Sequence, residues 1–326
     1  MNVRQVLPPD AIPSVDDPSF EPLTEYDGED SDEVVLVDGE TPRAYPIRYL
    51  HYHEIVNSDR DGDPIAVTWC PLCGSAVVYD RVVDGQVLDF GVSGKLANDD
   101  LVMYDRQTES DWKQSTGTCI AGEFDGTALA VLPAAMTTVA QARAVRDDAE
   151  VEILVRPGGV SEAGQKGGAA AEITYDSDPY DHYFDMDGFG LGAHRGTGSR
   201  EWEREDDIAA KTVVLGVEAT DTCGDGVALG FPLLRVEAAG GVVQTTVGTK
   251  SVVVFATDDG IHAFADPSVG FEPTDDGRFA GDGTTWNGAT GRSDDGRELT
   301  RLAARRLFAF AWQDDHGPDS FYQRTE

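Results

Sequence analysis

VTWCPLCGSAVVYD (residues 67–80) and VVFATDDGIHAFAD (residues 253–266) align residue for residue, and their shared pattern decides the fold. Each is a run rich in β-branched and aromatic residues, a short turn closed by glycine (Gly74, Gly260), a second such run, and a final aspartate (Asp80, Asp266). That pattern predicts a β-hairpin. The constant offset extends back to Tyr45-Pro46 against Phe231-Pro232. After a shortening in the second segment it resumes at WKQSTG (112–117) against WNGATG (286–291). Internal similarity over so long a stretch predicts a mainly β (β-rich α+β) protein, made of two pseudo-symmetric repeats of a strand-turn-strand unit with a few short helices.

Working outward, residues 1–32 are rich in Pro, Asp and Glu and lack periodicity, which predicts an extended arm. Residues 33–156 form the first repeat and 208–326 the second, degenerate one. The 157–207 segment between them reads as a Gly/Ala-rich and acidic linker, whose PGGVSEAGQKGGAA run fits a flexible connection. In RAYPIRYLHYHEIV (43–56) the spacing of Ile47, Leu50 and Ile55 predicts a short helix with Pro46 in its first turn. Helices are also predicted over TTVAQARAVRDD (137–148), with a threonine cap, and briefly within YDSDPYDHYF (175–184).

What the two copies do not share separates scaffold from candidate function. Cys70 and Cys73 stand opposite Ala256 and Asp259, and His53 and Glu54 stand opposite Ala239 and Gly240. The shortening falls in the segment that contains KLANDDLVMYDRQTES (95–110). Only the first copy therefore keeps groups capable of chemistry. By contrast Trp112, Thr116 and Gly117 recur in the second half and read as scaffold.

CPLCG between two β-rich runs has the form of a metal knuckle, in which two thiolates approach one ion and the glycine permits the tight turn. No second CxxC exists, so further ligands must come from His53, Cys119, Met103 or a carboxylate, and His53 is the first choice. Such a site takes zinc or copper. Met103 as a fourth ligand would make the set soft and favour Cu(I), although its LVMY setting reads as core. Glu54, Met103, Asp105, Arg106 and Cys119 form the wider candidate pocket. Thiol-disulfide exchange by Cys70 and Cys73 is the rival chemistry, but the GSAVVYDRVV that follows predicts a strand, not the helix whose N-terminus activates such thiols. A structural or ligand-binding module without enzymatic activity is the third reading, and whether the chain is an enzyme stays open. GVSGKL (91–96) lacks the residues of a phosphate loop or a nucleophile elbow. His182, His194, His262 and His316 stand alone in sequence.

Charge narrows the partners. With 25 Lys+Arg against 60 Asp+Glu, the formal net charge of -35 opposes nucleic acid and anionic membrane surfaces, both of which need clustered positive charge. The acidic residues are spread along the chain in Gly-rich turns without EF-hand spacing, as in a salt-accumulating halophile. The N-terminus lacks the apolar core of a signal peptide, and no stretch approaches the ~18 apolar residues of a membrane span. A cytoplasmic location is expected, and four cysteines (Cys70, Cys73, Cys119, Cys223) are too few for a disulfide framework.

AYPIRYLHYHEIVN (44–57), VTWCPLCGSAVVYDR (67–81) and FGVSGKLANDDLVMYDRQTESDWKQSTG (90–117) together resemble the family known as domain of unknown function 3179, in a halophilic archaeal type. YDSDPYDHYF, KTVVLGV (211–217) and LFAFAW (307–312) extend the likeness over nearly the whole chain from about residue 8. The resemblance implies no particular activity. Asp99 departs from the small polar residue usual at its position, and HGPDSFY departs slightly near the end. Neither departure touches His53, Cys70 or Cys73.

Overall fold

The computed structural model describes residues 1–145, 150–161, 171–175, 177–204 and 207–324. Its strands form because β-branched and aromatic residues alternate between a packed and a second face. In the first half the order is β1 (Glu33–Val37), β2 (Arg43–Pro46), helix α1 (Ile47–His53), β3 (Ile55–Arg60), β4 (Asp63–Cys70) and β5 (Ser75–Asp80). A second layer adds β6 (Phe90–Ala97), β7 (Asp100–Asp105) and β8 (Asp111–Lys113), and then β9 (Ala135–Thr138) leads directly into α2 (Val139–Val145). Two short helices, α3 (Asp181–Asp185) and α4 (Gly190–His194), precede the second half. That half runs β10 (Val213–Thr220), β11 (Gly226–Pro232), α5 (Leu233–Ala238), β12 (Val242–Val247), β13 (Lys250–Thr257), β14 (Gly260–Ala265), β15 (Arg305–Phe308) and α6 (Ala309–His316).

The chain is thus mainly β, with antiparallel pairing dominant. Trp69 pairs with Ala76 and Cys70 with Ser75 across β4 and β5, and Phe255 pairs with His262 and Ala256 with Ile261 across β13 and β14. The halves do not fold as separate sheets. A six-stranded sheet has the order β11-β10-β15-β5-β4-β3, so β15 from the end of the chain zips between β10 and β5. Strands β12, β13 and β14 form a sheet of their own.

The predicted helix at 43–56 is shorter at both ends, and Ile55, counted toward it, already belongs to β3. Pro46 ends β2 and caps α1, because residues 43–46 pair with β1. Helix α2 occupies the predicted position, with the end of the 137–148 expectation outside the described residues. Most of the predicted flexible run, residues 162–170, also lies outside them. The acidic part of that segment is not a free connection. Tyr183, Phe189 and Leu191 are buried in the same core cluster as Cys70 and Cys73, against Phe308 and Phe310 of the second half. The N-terminal arm is pinned by short strands, Val3–Gln5 on β6 and Phe20–Pro22 on Glu152–Leu154. No helix among the described residues is long and apolar enough to cross a membrane.

Candidate functional site

Cys70 is the last residue of β4, and Pro71 to Gly74 make the turn into β5. Gly74 has φ +53, and a Cβ there would stand 2.7 Å from the Phe308 ring, so both backbone and packing require glycine. The turn is held from outside. Tyr183 donates its hydroxyl to the Leu72 carbonyl (2.7 Å), the Phe308 N–H donates to the Cys73 carbonyl (2.7 Å), and Arg306 donates to the Gly74 carbonyl. With those carbonyls satisfied, both thiols turn inward and are almost fully buried.

The third group comes from β7. Asn98 (φ 53) and Asp99 (φ 70) form a two-residue turn between Ala97 and Asp100, the hairpin geometry that needs left-handed residues at both central positions. This turn carries the Asp99 carbonyl to 3.5 Å from the Cys73 sulfur, which donates to it, and delivers Asp100 beside the thiols. The ligand atoms of Cys70, Cys73 and Asp100 all lie within 4.8 Å of one another. Asp100 Oδ2 accepts from the Ser115 N–H (2.9 Å), whereas Oδ1 is buried with no hydrogen-bond partner among the described residues. A buried, half-satisfied carboxylate is costly, and its open lone pairs ask for a donor or an ion.

The surrounding charges are unbalanced. Glu54, at the left-handed C-cap of α1 (φ 60), is buried without a hydrogen bond to its carboxylate among the described residues. Burial, reinforced by Asp100, pushes its carboxyl up to about 8. Burial likewise raises Asp100 above the usual carboxylate range and raises both thiols, Cys73 the more strongly. The near cation is Lys113, whose Nζ pairs with Asp315 of α6 and stands 3.9 Å from Asp100 Oδ2. Burial works against its charge, yet Asp100 and Asp315 together hold the ammonium above its ordinary value. Two thiols and two carboxyls thus share one buried region with a single lysine that is already paired.

His53 is not brought into this group. Its Nδ1 donates to the Pro13 carbonyl (2.7 Å) and its Nε2 accepts from the Tyr175 hydroxyl, so both nitrogens are committed to the arm and to the segment before α3. Burial lowers its pKa, in keeping with a neutral structural histidine. The other pocket candidates are also occupied elsewhere. Asp105 accepts from the Trp112 indole (2.9 Å) and from the Thr108 N–H (2.6 Å). Arg106 pairs with Asp10 and Asp16 near the surface. Met103 fills core opposite Trp112, on the other face of β7 from Asp100. Cys119 donates to the Ala121 carbonyl (3.4 Å). The sequence matches the family described as "Protein of unknown function (DUF3179)" over residues 9–320. The chain belongs to the DUF3179 family. No curated protein and no solved structure matches it.

Sequence reasoning did not name Asp100, Lys113 or Tyr180 as members of this candidate site, nor His51, which packs against Tyr180. Asp100 had a signal, since it lies in the 95–110 segment shortened in the second half. His51 Nδ1 stands 2.9 Å from Asp178, and its Nε2 is buried without a partner. Tyr180 packs between His51 (5.7 Å between ring centroids) and His194 (4.9 Å), and its hydroxyl has no hydrogen bond among the described residues. Burial drives that phenol well above its usual range, and the charges of Glu54 and Cys70 add to the effect. The aromatic density of YDHYF (180–184) was the only local hint.

Proposed function

We propose that the protein binds one divalent transition metal, zinc in preference to copper, through Cys70, Cys73 and Asp100. The observation that carries this reading is the buried Asp100 carboxylate, which has one oxygen within 4.8 Å of both sulfurs and one, Oδ1, without a hydrogen-bond partner among the described residues. Ligands at ~2.0–2.3 Å from a common ion have about that spread. Two thiolates suit zinc or Cu(I), and the hard carboxylate tips the set toward zinc. The electrostatics agree. Burial, reinforced by neighbouring negative groups, raises the thiols and carboxyls, and a dication would hold the ligands deprotonated. Three protein ligands leave a fourth position, and Glu54 and Tyr180, whose side chains make no hydrogen bond among the described residues, are available to orient a small molecule or water there.

The rival readings lack such support. Thiol-disulfide exchange needs accessible thiolate, whereas these thiols are buried, raised in pKa and followed by a strand. Incidental core cysteines leave the orphaned Asp100 oxygen unexplained. Elemental analysis of protein purified without chelator tests the proposal: about one zinc per chain is expected for the wild type, and Cys70→Ser is expected to remove it. Metal-free protein with unaltered structure would end the reading. The dispersed acidic surface supports a second, smaller proposal, that the chain is adapted to a salt-rich cytoplasm; stability that does not rise with KCl would refute it.

A further inference from the structure

The hairpin face that carries the Cys70 thiol holds two more buried oxygens whose bonding is incomplete. Ser75 pairs directly with Cys70 across β4 and β5, so the two side chains leave the sheet on one face, with Cβ atoms about 4.5–5.5 Å apart. The Ser75 hydroxyl is fully buried and has no hydrogen-bond partner among the described residues. Gln114, one residue beyond β8, lays its amide over the same face: Nε2 donates to Thr68 Oγ1 (2.8 Å) and to the Ser75 carbonyl (3.2 Å). A carbonyl only accepts, and Thr68 gives its own proton to the Val77 carbonyl (2.7 Å), so the nitrogen of the amide must face this pair. Gln114 Oε1 is therefore an acceptor, buried and likewise unpartnered among the described residues. In the second half, which lacks the thiols, Val254, Ile261 and Gly288 stand at the positions of Thr68, Ser75 and Gln114. The polar set goes with the cysteines.

We propose that the fourth position of the metal site takes a neutral ligand that donates hydrogen bonds, a water molecule or the hydroxyl or amine of a small molecule, held by Gln114 Oε1 and Ser75 Oγ. This rests on the metal reading above and names the ligand class of that site. Burying an amide oxygen and a hydroxyl without partners is costly, and one donor ligand relieves both. Such a ligand turns a lone pair to the ion and keeps its protons for the two oxygens. An anion has no proton for Gln114 Oε1, and the lysine that could offset its charge, Lys113, is already paired with Asp315. Gln114 and Ser75 are thus positioning residues that select for a proton donor.

A crystal structure of the full chain loaded with zinc is the direct test. A solvent oxygen on the zinc and at hydrogen-bond distance from Gln114 Oε1 is expected. A fourth protein ligand, an anion or an empty position there would overturn the inference and leave the metal site standing, whereas a chain that takes up no zinc defeats the underlying reading. In solution, cobalt-substituted protein separates the same outcomes, because a sulfur-to-cobalt charge-transfer band reports the metal site by itself. Given that band, Gln114→Leu should bind thiocyanate about 3–10-fold more tightly than the wild type, since the acceptor that favours a donor ligand is gone. Ser75→Ala breaks no hydrogen bond among the described residues, yet it should shift the cobalt d–d bands, and it serves if Gln114→Leu does not fold. An unchanged d–d spectrum in Ser75→Ala, or unchanged thiocyanate affinity in folded Gln114→Leu, would contradict the proposal.

Discussion

The hairpins β4–β5 and β13–β14 share one backbone frame, with Cys70 opposite Ser75 in the first and Ala256 opposite Ile261 in the second. Their turns are used differently. In the first, groups from other elements take the turn carbonyls and leave two thiols pointing at Asp100. In the second, Asp259, which occupies the position of Cys73, accepts from Thr138 Oγ1 (2.9 Å) and Gln141 Nε2 (2.8 Å) at the start of α2. One turn joins the halves through ordinary hydrogen bonds, while the other collects groups whose bonding is unfinished. The difference locates function by unmet valence rather than by shape.

The largest effect that would break this contrast is expected at the thiols. Cys70→Ser or Cys73→Ser should lose nearly all bound metal, while Asp259→Ala keeps it; equal metal content in all three variants would erase the distinction. Next comes Glu54. Its folded pKa of about 8 lies above its ordinary 4.5, so the folded chain holds a proton that the unfolded chain releases. Metal-free protein should therefore lose stability as pH rises from roughly 4.5 to 8, by up to about 5 kcal/mol from this group, with no contribution below that window. Glu54→Gln should flatten the slope in denaturant titrations, and an unchanged slope would show that its environment has been misjudged.

Asp100→Asn should weaken metal binding by about 10–100-fold in competition with a chelating dye, an effect of the size seen when a metal site loses a supporting carboxylate. Unaltered affinity would remove Asp100 from the ligand set. His53→Ala sharpens the comparison from the other side: a stability loss of about 1–3 kcal/mol is expected from its two broken hydrogen bonds, with metal content preserved. Metal loss in a folded His53→Ala protein would return the imidazole to the site. The smallest effect is expected for Asp259→Ala, about 1 kcal/mol in thermal unfolding.

Much of the fold was legible because it follows local patterning. Val, Trp and Tyr alternating through 63–80 specify a hairpin, and Asp84-Gly85, both with positive φ, form the tight turn that an Asp-Gly pair favours. The candidate site was legible as far as Cys70, Cys73 and Gly74, which lie together in sequence, and Glu54, which the second half replaces by Gly240. His53 misled because helical spacing fixes where a residue sits along α1 but not what its ring meets, and the meeting is with Pro13 and Tyr175. Asp100 reaches the thiols through a long-range approach of two hairpins, and Lys113 is held by Asp315 from the far end of the chain. Such contacts are tertiary, and periodicity is silent about them.

X-ray absorption at the zinc edge, on full-length protein purified without chelator, tests the central claim most directly. The account predicts two sulfur scatterers near ~2.3 Å and oxygen scatterers near ~2.0 Å, without the outer-shell signature of an imidazole. A spectrum that requires a histidine ligand, or a protein that carries no metal while its fold is intact, would contradict it.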